Sequence, residues 1–190
     1  MFHFFAYLSR MKHIKRWGLM RNTEVENIKE HSMDVAMIAH GLALVGNTYF
    51  GKEYLPEHVM AVAVYHEAGE VITGDLATPI KYFNPEINAA YKKIEAVAEE
   101  KLLSMLPGEL EPQYRSLIQC KDESVRRLVK AADKICAYLK CVEEMKTGNE
   151  EFSKAKNQIW KDLSAIDLPE VKYFIEHMLP SYELTLDELN

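Results

Sequence analysis

Apolar residues recur at helical spacing along nearly the whole of this chain, and no stretch alternates apolar and polar residues strictly enough to make a strand. That periodicity points to an all-α helical bundle, because each helix must bury its apolar stripe against other helices. Gly46, Gly51, Pro56, Gly74, Pro79, Pro85, Pro107, Gly108, Gly148, Pro169 and Pro180 interrupt it. Between these breakers the spacing predicts helices at 3–14, 29–46, 57–72, 85–105, 122–147, 150–165 and 169–178, with a shorter helix or ordered loop at 108–119. No internal repeat or low-complexity segment occurs, so the 190 residues are expected to form a single domain, 1–190.

Three of the predicted helices carry chemistry where apolar residues belong. The stripe His31, Val35, Ile38, Leu42, Val45 begins with an imidazole, and the stripe Val59, Ala63, His66, Glu70 ends in polar groups. Asp133 lies beside the stripe Val125, Val129, Ala132, Cys136, Leu139. On a helix turning roughly 100° per residue, Glu70 lies about 40° and Glu67 about 100° around from His66, so all three can face one cleft. Burying acids is costly unless they are paired or bound to a cation. Two imidazoles and two carboxylates suit Mn²⁺, Fe²⁺, Co²⁺, Ni²⁺ or Zn²⁺ better than Ca²⁺. Taken singly each signal is weak, since a histidine on an apolar face is more often a satisfied core residue. Their conjunction carries the argument.

Composition narrows the rest. With a formal net charge of −6 the chain offers no bulk basic surface for a nucleic-acid polymer. The N-terminal segment lacks a hydrophobic region of signal length and is interrupted by Arg10 and Lys12, and no run approaches a membrane span. Cys120, Cys136 and Cys141 form neither a CxxC pair nor an even set, which predicts reduced thiols and a cytoplasmic protein. Apolar positions Tyr138, Leu139, Val142 and Met145 on the helix at 122–147 look like surface to spare.

The segments FAYLSRMKHIKRWGLMRNT at 5–23, ENIKEHSMDVAMIAH at 26–40, YHEAGEVITGDLATPIKYFN at 65–84, KAADKICAYLKCVEEMKTGNEEF at 130–152 and PSYELTLDEL at 180–189 together resemble the HD-domain superfamily of metal-dependent phosphohydrolases. Within it the chain is most similar to bacterial 5′-deoxynucleotidases of the YfbR type, over essentially its whole length. One position departs from that pattern: the HD doublet is replaced by His66-Glu67.

The resemblance implies an HD-domain bundle in which His31, His66, Glu67 and Asp133 hold one divalent ion. Cobalt or manganese comes first, with nickel, iron, zinc or magnesium as alternatives. It implies Glu70 and Arg16 as catalytic residues, with Glu70 serving as proton donor or acceptor and Arg16 clamping the phosphate. Arg16, Trp17, Glu67, Asp75, Leu76, Ala77, Thr78 and Asp133 are then the substrate-binding set, with Lys81 a candidate outer cation. The implied reaction removes the 5′-phosphate from 2′-deoxyribonucleoside 5′-monophosphates in a homodimeric enzyme. Two alternatives are another nucleotide phosphohydrolase of the superfamily and a non-catalytic module that binds metal or nucleotide.

Overall fold

The computed structural model describes residues 1–81 and 83–189, and for Thr78 the backbone alone. Among the described residues ten α-helices follow one another: α1 (Phe4–Leu8), α2 (Ile28–Phe50), α3 (Pro56–Val64), α4 (Glu70–Thr73), α5 (Thr78–Lys81), α6 (Pro85–Leu103), α7 (Glu111–Ile118), α8 (Glu123–Lys146), α9 (Ser153–Ser164) and α10 (Pro169–His177). The described residues contain no strand, only an isolated antiparallel bridge between Lys15 and Asn27. None of their helices is long and apolar enough to cross a membrane.

Local chemistry sets most of these boundaries. The side chain of Asn27 accepts from the backbone N–H groups of Lys29 and Glu30 to start α2, and Asp122 does the same for Ser124 and Val125 at α8. Pro56, Pro85 and Pro169 open their helices, where a missing N–H costs no hydrogen bond.

α2 is the central helix. It packs against α3, α8 and α10, and α8 in turn carries α9. Val35, Ala39 and Leu42 of α2 meet Val59 and Ala63 of α3 and Leu128, Ala132 and Ile135 of α8 in the main core. A smaller core joins Phe4, Ala68, Leu102, Leu103 and Leu106. There the Tyr114 ring meets Phe4 edge-on at 4.8 Å and Tyr65 at 5.6 Å, holding the turn after α3.

Three expectations change, and the segment read as a shorter helix or an ordered loop takes the first form. Gly46 does not end a helix; α2 runs on to Phe50 and stops at Gly51, whose φ of 61° is left-handed. Gly46 serves tertiary contact instead, because a Cβ there would lie 2.8 Å from the Tyr54 ring. The segment 108–119 resolves as the helix α7. Of Tyr138, Leu139, Val142 and Met145, the first three are buried in the main core and Met145 is half-buried, so the long helix offers no spare stripe for a second copy. Finally, the helix expected over 57–72 breaks after Val64.

That last break shapes the site. His66 Nδ1 lies 2.7 Å from the Ala63 carbonyl oxygen, occupying an acceptor on which continued α-helix would depend. The backbone then tightens into i→i+3 bonds from Ala68 to Tyr65 and from Glu70 to Glu67, both 3.0 Å. Meanwhile Ala68 is drawn fully into the smaller core.

Candidate metal centre

His31, His66, Glu67 and Asp133 come together with one potential ligand atom each, all within 4.8 Å of one another. His31 sits in the fourth helical position of α2, and Asp133 lies mid-way along α8. The angular prediction for His66, Glu67 and Glu70 does not hold, since the first two occupy the turn and Glu70 opens α4. The convergence holds nonetheless, because the turn swings both side chains toward α2 and α8.

Hydrogen bonding fixes the imidazoles. With Nδ1 of His66 on the Ala63 carbonyl, its proton belongs on Nδ1, and Nε2 keeps a lone pair. That Nε2 is buried without a partner, as are Oε2 of Glu67 and Oε2 of Glu70. His31 is fully buried; its Nε2 lies 3.0 Å from Asp133 Oδ1 and 3.7 Å from Glu67 Oε1. Glu67 Oε1 is also 3.8 Å from His66 Nε2. Orphaned nitrogen and carboxylate atoms facing one point fit a divalent transition ion of the kind this donor set prefers.

The electrostatics reflect this crowding. Burial pulls the His31 pKa down, but hydrogen bonds to Asp133 and Glu26 outweigh it and lift the imidazole to about 9. Burial alone would raise Asp133, yet its bond to His31 and the positive charges nearby hold it well below the usual carboxylate range. Glu70 has no such relief: burial first, then the charges of Glu67 and Asp75, push its carboxyl up to about 9. It is therefore not the solvated last-turn acid that a continuous helix would have made.

Arg16 donates Nε to Glu26 Oε2 at 3.1 Å and Nη1 to Glu67 Oε1, which places its guanidinium against the candidate donor cluster. Trp17 Nε1 donates to the same Glu26 oxygen at 3.0 Å, and its ring packs on Phe152 at 5.3 Å. This tryptophan holds a left-handed backbone, φ 57°, unusual for a bulky residue and sustained here by contacts at both ends of the ring. Asp75, Leu76 and Ala77 are half-buried in the loop before α5; Asp75 feels the charges of Arg16 and Glu67, while the side chain of Thr78 falls outside the described residues. Lys81 is neither free nor solvated, since it pairs with Glu95 at 2.8 Å and lies 4.7 Å over the Tyr91 ring. Cys136 and Cys141 are buried free thiols of α8, as expected.

Glu26 is the residue the sequence reading passed over. It holds Arg16 and Trp17 through one oxygen and faces His31 Nδ1 with the other at 3.4 Å. A carboxylate behind a metal-binding imidazole orients the ring and makes it a stronger ligand. A signal was present: Asn27 caps α2, which makes Glu26 the residue before the cap and His31 the fourth in the helix. Capping geometry brings those two positions together. Glu26→Gln is expected to weaken metal binding by about 10–100-fold with helicity unchanged. Isothermal titration of metal into stripped protein measures this, and unchanged affinity would remove Glu26 from the site.

Comparison with known proteins agrees with this geometry. The fold is that of the HD-domain phosphohydrolases: one from Listeria innocua superposes with a TM-score of 0.79 at 22% identity, covering 95% of this chain and 88% of its own. The HD phosphohydrolase DatZ of cyanophage S-2L, whose structure is described as bound to dA and one catalytic Zn²⁺ ion, superposes with a TM-score of 0.65 at 20% identity over 93% of this chain and 96% of its own. The profile of the YfbR-like 5′-deoxynucleotidases matches residues 3–182, and the chain belongs to that family. A 5′-deoxynucleotidase of Vibrio vulnificus is 52% identical over 99% of this chain and 98% of its own length. That of Shewanella oneidensis is 48% identical over 100% and 98%.

Proposed function

We infer that this chain is a metal-dependent hydrolase that removes the 5′-phosphate from 2′-deoxyribonucleoside 5′-monophosphates. The observation carrying the reading is the four-residue donor cluster, with Glu70 and Arg16 at its edge, in a chain about half identical to named 5′-deoxynucleotidases over its full length.

His31, His66, Glu67 and Asp133 would hold the ion, which supplies Lewis acidity toward phosphoryl oxygens and lowers the pKa of water. Cobalt or manganese is our first assignment. The zinc of the cyanophage protein makes zinc a direct competitor for it. Arg16 keeps one guanidinium nitrogen, Nη2, outside its pairs with Glu26 and Glu67, which supports a role for it in meeting a phosphate oxygen. Glu70 is the group that moves the proton hydrolysis requires, either to the leaving 5′-oxygen or from the attacking water. Trp17 and the loop Asp75–Leu76–Ala77–Thr78 would hold the sugar and base, with Asp75 accepting from the 3′-hydroxyl. Deoxy selection follows from packing against C2′ that leaves a 2′-hydroxyl no partner. We place the enzyme in the cytoplasm as one domain that pairs as a homodimer. Exposed Met33, Met37 and Leu44 on α2 supply apolar surface for such pairing, now that the α8 stripe is internal.

Phosphate release from a panel of ribo- and deoxynucleoside monophosphates, with Mn²⁺, Co²⁺, Zn²⁺ or Mg²⁺ in turn, tests the assignment. Release from deoxynucleotides alone is expected; equal release from ribonucleotides would reject the selection, and no release at all would leave a binding module. Glu67 supplies a second test. Glu67→Gln keeps the reach but loses the charge, and is expected to weaken metal binding by at least about tenfold, the 1.4 kcal/mol scale of one charged contact. Glu67→Asp keeps the charge and is expected to retain more activity than Glu67→Gln. Wild-type metal affinity in Glu67→Gln would show that this carboxylate is not a ligand.

A further inference from the structure

Beside the metal ligands lies a cleft of about 640 Å³ between α3, α7 and α8, whose charged lining comprises His66 and Asp133, the cations Arg126, Arg127 and Lys130 of α8, and the acids Glu99 and Glu123. Arg126 is paired with Glu123 at 3.1 Å. Arg127 and Lys130 are exposed and make no ion pair among the described residues. In a chain carrying 29 acidic against 23 basic residues, two unpaired cations at the mouth of a site made of carboxylates call for a physical reason.

Charge balance supplies one. The two positive charges of a bound divalent ion would be cancelled by Glu67 and Asp133, and Arg16 is matched by Glu26. Lys81 is spent on Glu95. A phosphate dianion arriving at this centre therefore meets little uncompensated positive charge, while Asp75 adds acid nearby. The rise of α-helix sets Lys130 about 4.5 Å and Arg127 about 9 Å along the axis from Asp133. Arg127 stands about 60° around α8 from Lys130, and both line the cleft that reaches Asp133, so the cations lead from solvent toward the ligands. A cleft walled by low-dielectric protein focuses such a field.

We propose that the cleft between α3, α7 and α8 is an anion subsite adjoining the metal centre, in which Lys130 and Arg127 receive a phosphate group. The guanidinium supplies planar paired donors and the ammonium a mobile point charge. Its relation to the reaction rests on the phosphatase reading above; its capacity to bind phosphate does not. The group received is either the phosphate of an incoming substrate or the inorganic phosphate released by hydrolysis.

The test is calorimetric titration of inorganic phosphate into metal-loaded and metal-stripped protein, comparing the native chain with the double variant Arg127→Gln, Lys130→Gln. Both side chains are exposed, so circular dichroism and metal content should be unchanged. Phosphate affinity is expected to fall by about tenfold or more in both metal states, and its salt dependence to flatten. Steady-state kinetics then separates the sources. A raised inhibition constant for phosphate with unchanged KM identifies the released product, and a raised KM identifies the substrate's own phosphate. Phosphate affinity unaltered in the double variant would overturn the proposal. Weakened phosphate binding in a protein that hydrolyses no nucleotide would retain the subsite and discard the hydrolase reading.

Discussion

His66→Ala is expected to yield a folded helical protein that holds no metal and has lost at least about a thousandfold in kcat/KM. A bound ion would contribute several kcal/mol of transition-state stabilisation, and each 1.36 kcal/mol is a factor of ten. His66 reaches the cluster through Nε2, which makes no hydrogen bond among the described residues, so its removal strands no buried donor. His31→Ala should be equally inactive but less stable, because it leaves Asp133 and Glu26 facing a buried hole. Metal content by atomic emission, read beside circular dichroism, checks both. Full occupancy in either variant would sink the assignment of the centre.

The second large effect lies away from the chemistry. Lys140 and Glu144 form a buried pair one turn apart on α8, Nζ to Oε1 at 2.5 Å. Glu144 also accepts from the Thr23 backbone at 2.9 Å and from Asn149 at 2.8 Å, and Lys140 donates to the Glu24 carbonyl at 2.6 Å. The pair thus anchors the segment that runs from Trp17 to Glu26. Glu144→Ala leaves an ammonium buried without its counter-charge, and is expected to cost about 3–5 kcal/mol in urea unfolding. Loss of less than about 0.5 kcal/mol, the scale of an ordinary surface substitution, would show that the pair is not structural.

The same pair sets an acid limit. Burial opposes ionisation of Glu144, but Lys140 and the backbone and side-chain donors overcome it and pull the carboxyl down to about 2. A carboxyl depressed on folding stabilises the fold above its unfolded pKa, and that contribution fades as pH drops from about 4.5 toward 2. Acid unfolding of the native chain should therefore be steeper across that window than that of Glu144→Gln.

Much of the architecture was legible because helix periodicity and proline or glycine punctuation are local. Pro56, Pro85 and Pro169 act where a reader of sequence would place them. Gly46 misleads because its purpose is the approach of Tyr54, seen only once the chain has folded back. The break at Tyr65 was hidden for a related reason: the apolar pattern continues through 57–72, and only the capture of a backbone carbonyl by His66 ends the helix. Three metal-ligand candidates were signalled by polar groups on core-facing stripes. Glu26 was not, since it precedes its helix and owes its place to the capping geometry of Asn27. Lys140 and Glu144 stood in a recognisable run yet carried no visible role, because burial of a charged pair depends on the distant Thr23 and Asn149.

The left-handed backbone at Trp17 has a consequence for how the molecule comes apart. A bulky residue held there stores about 1–3 kcal/mol of strain, released once the ring leaves Phe152 and Glu26. The helices around Leu42 and Leu128 carry no comparable load. Opening is therefore graded: the segment bearing Arg16 and Trp17 detaches at lower free energy than α2 and α8, and amide exchange should be faster there than in the bundle. Heat would then silence the molecule before it unfolds, with the bundle still intact around a site that has lost Arg16 and Trp17.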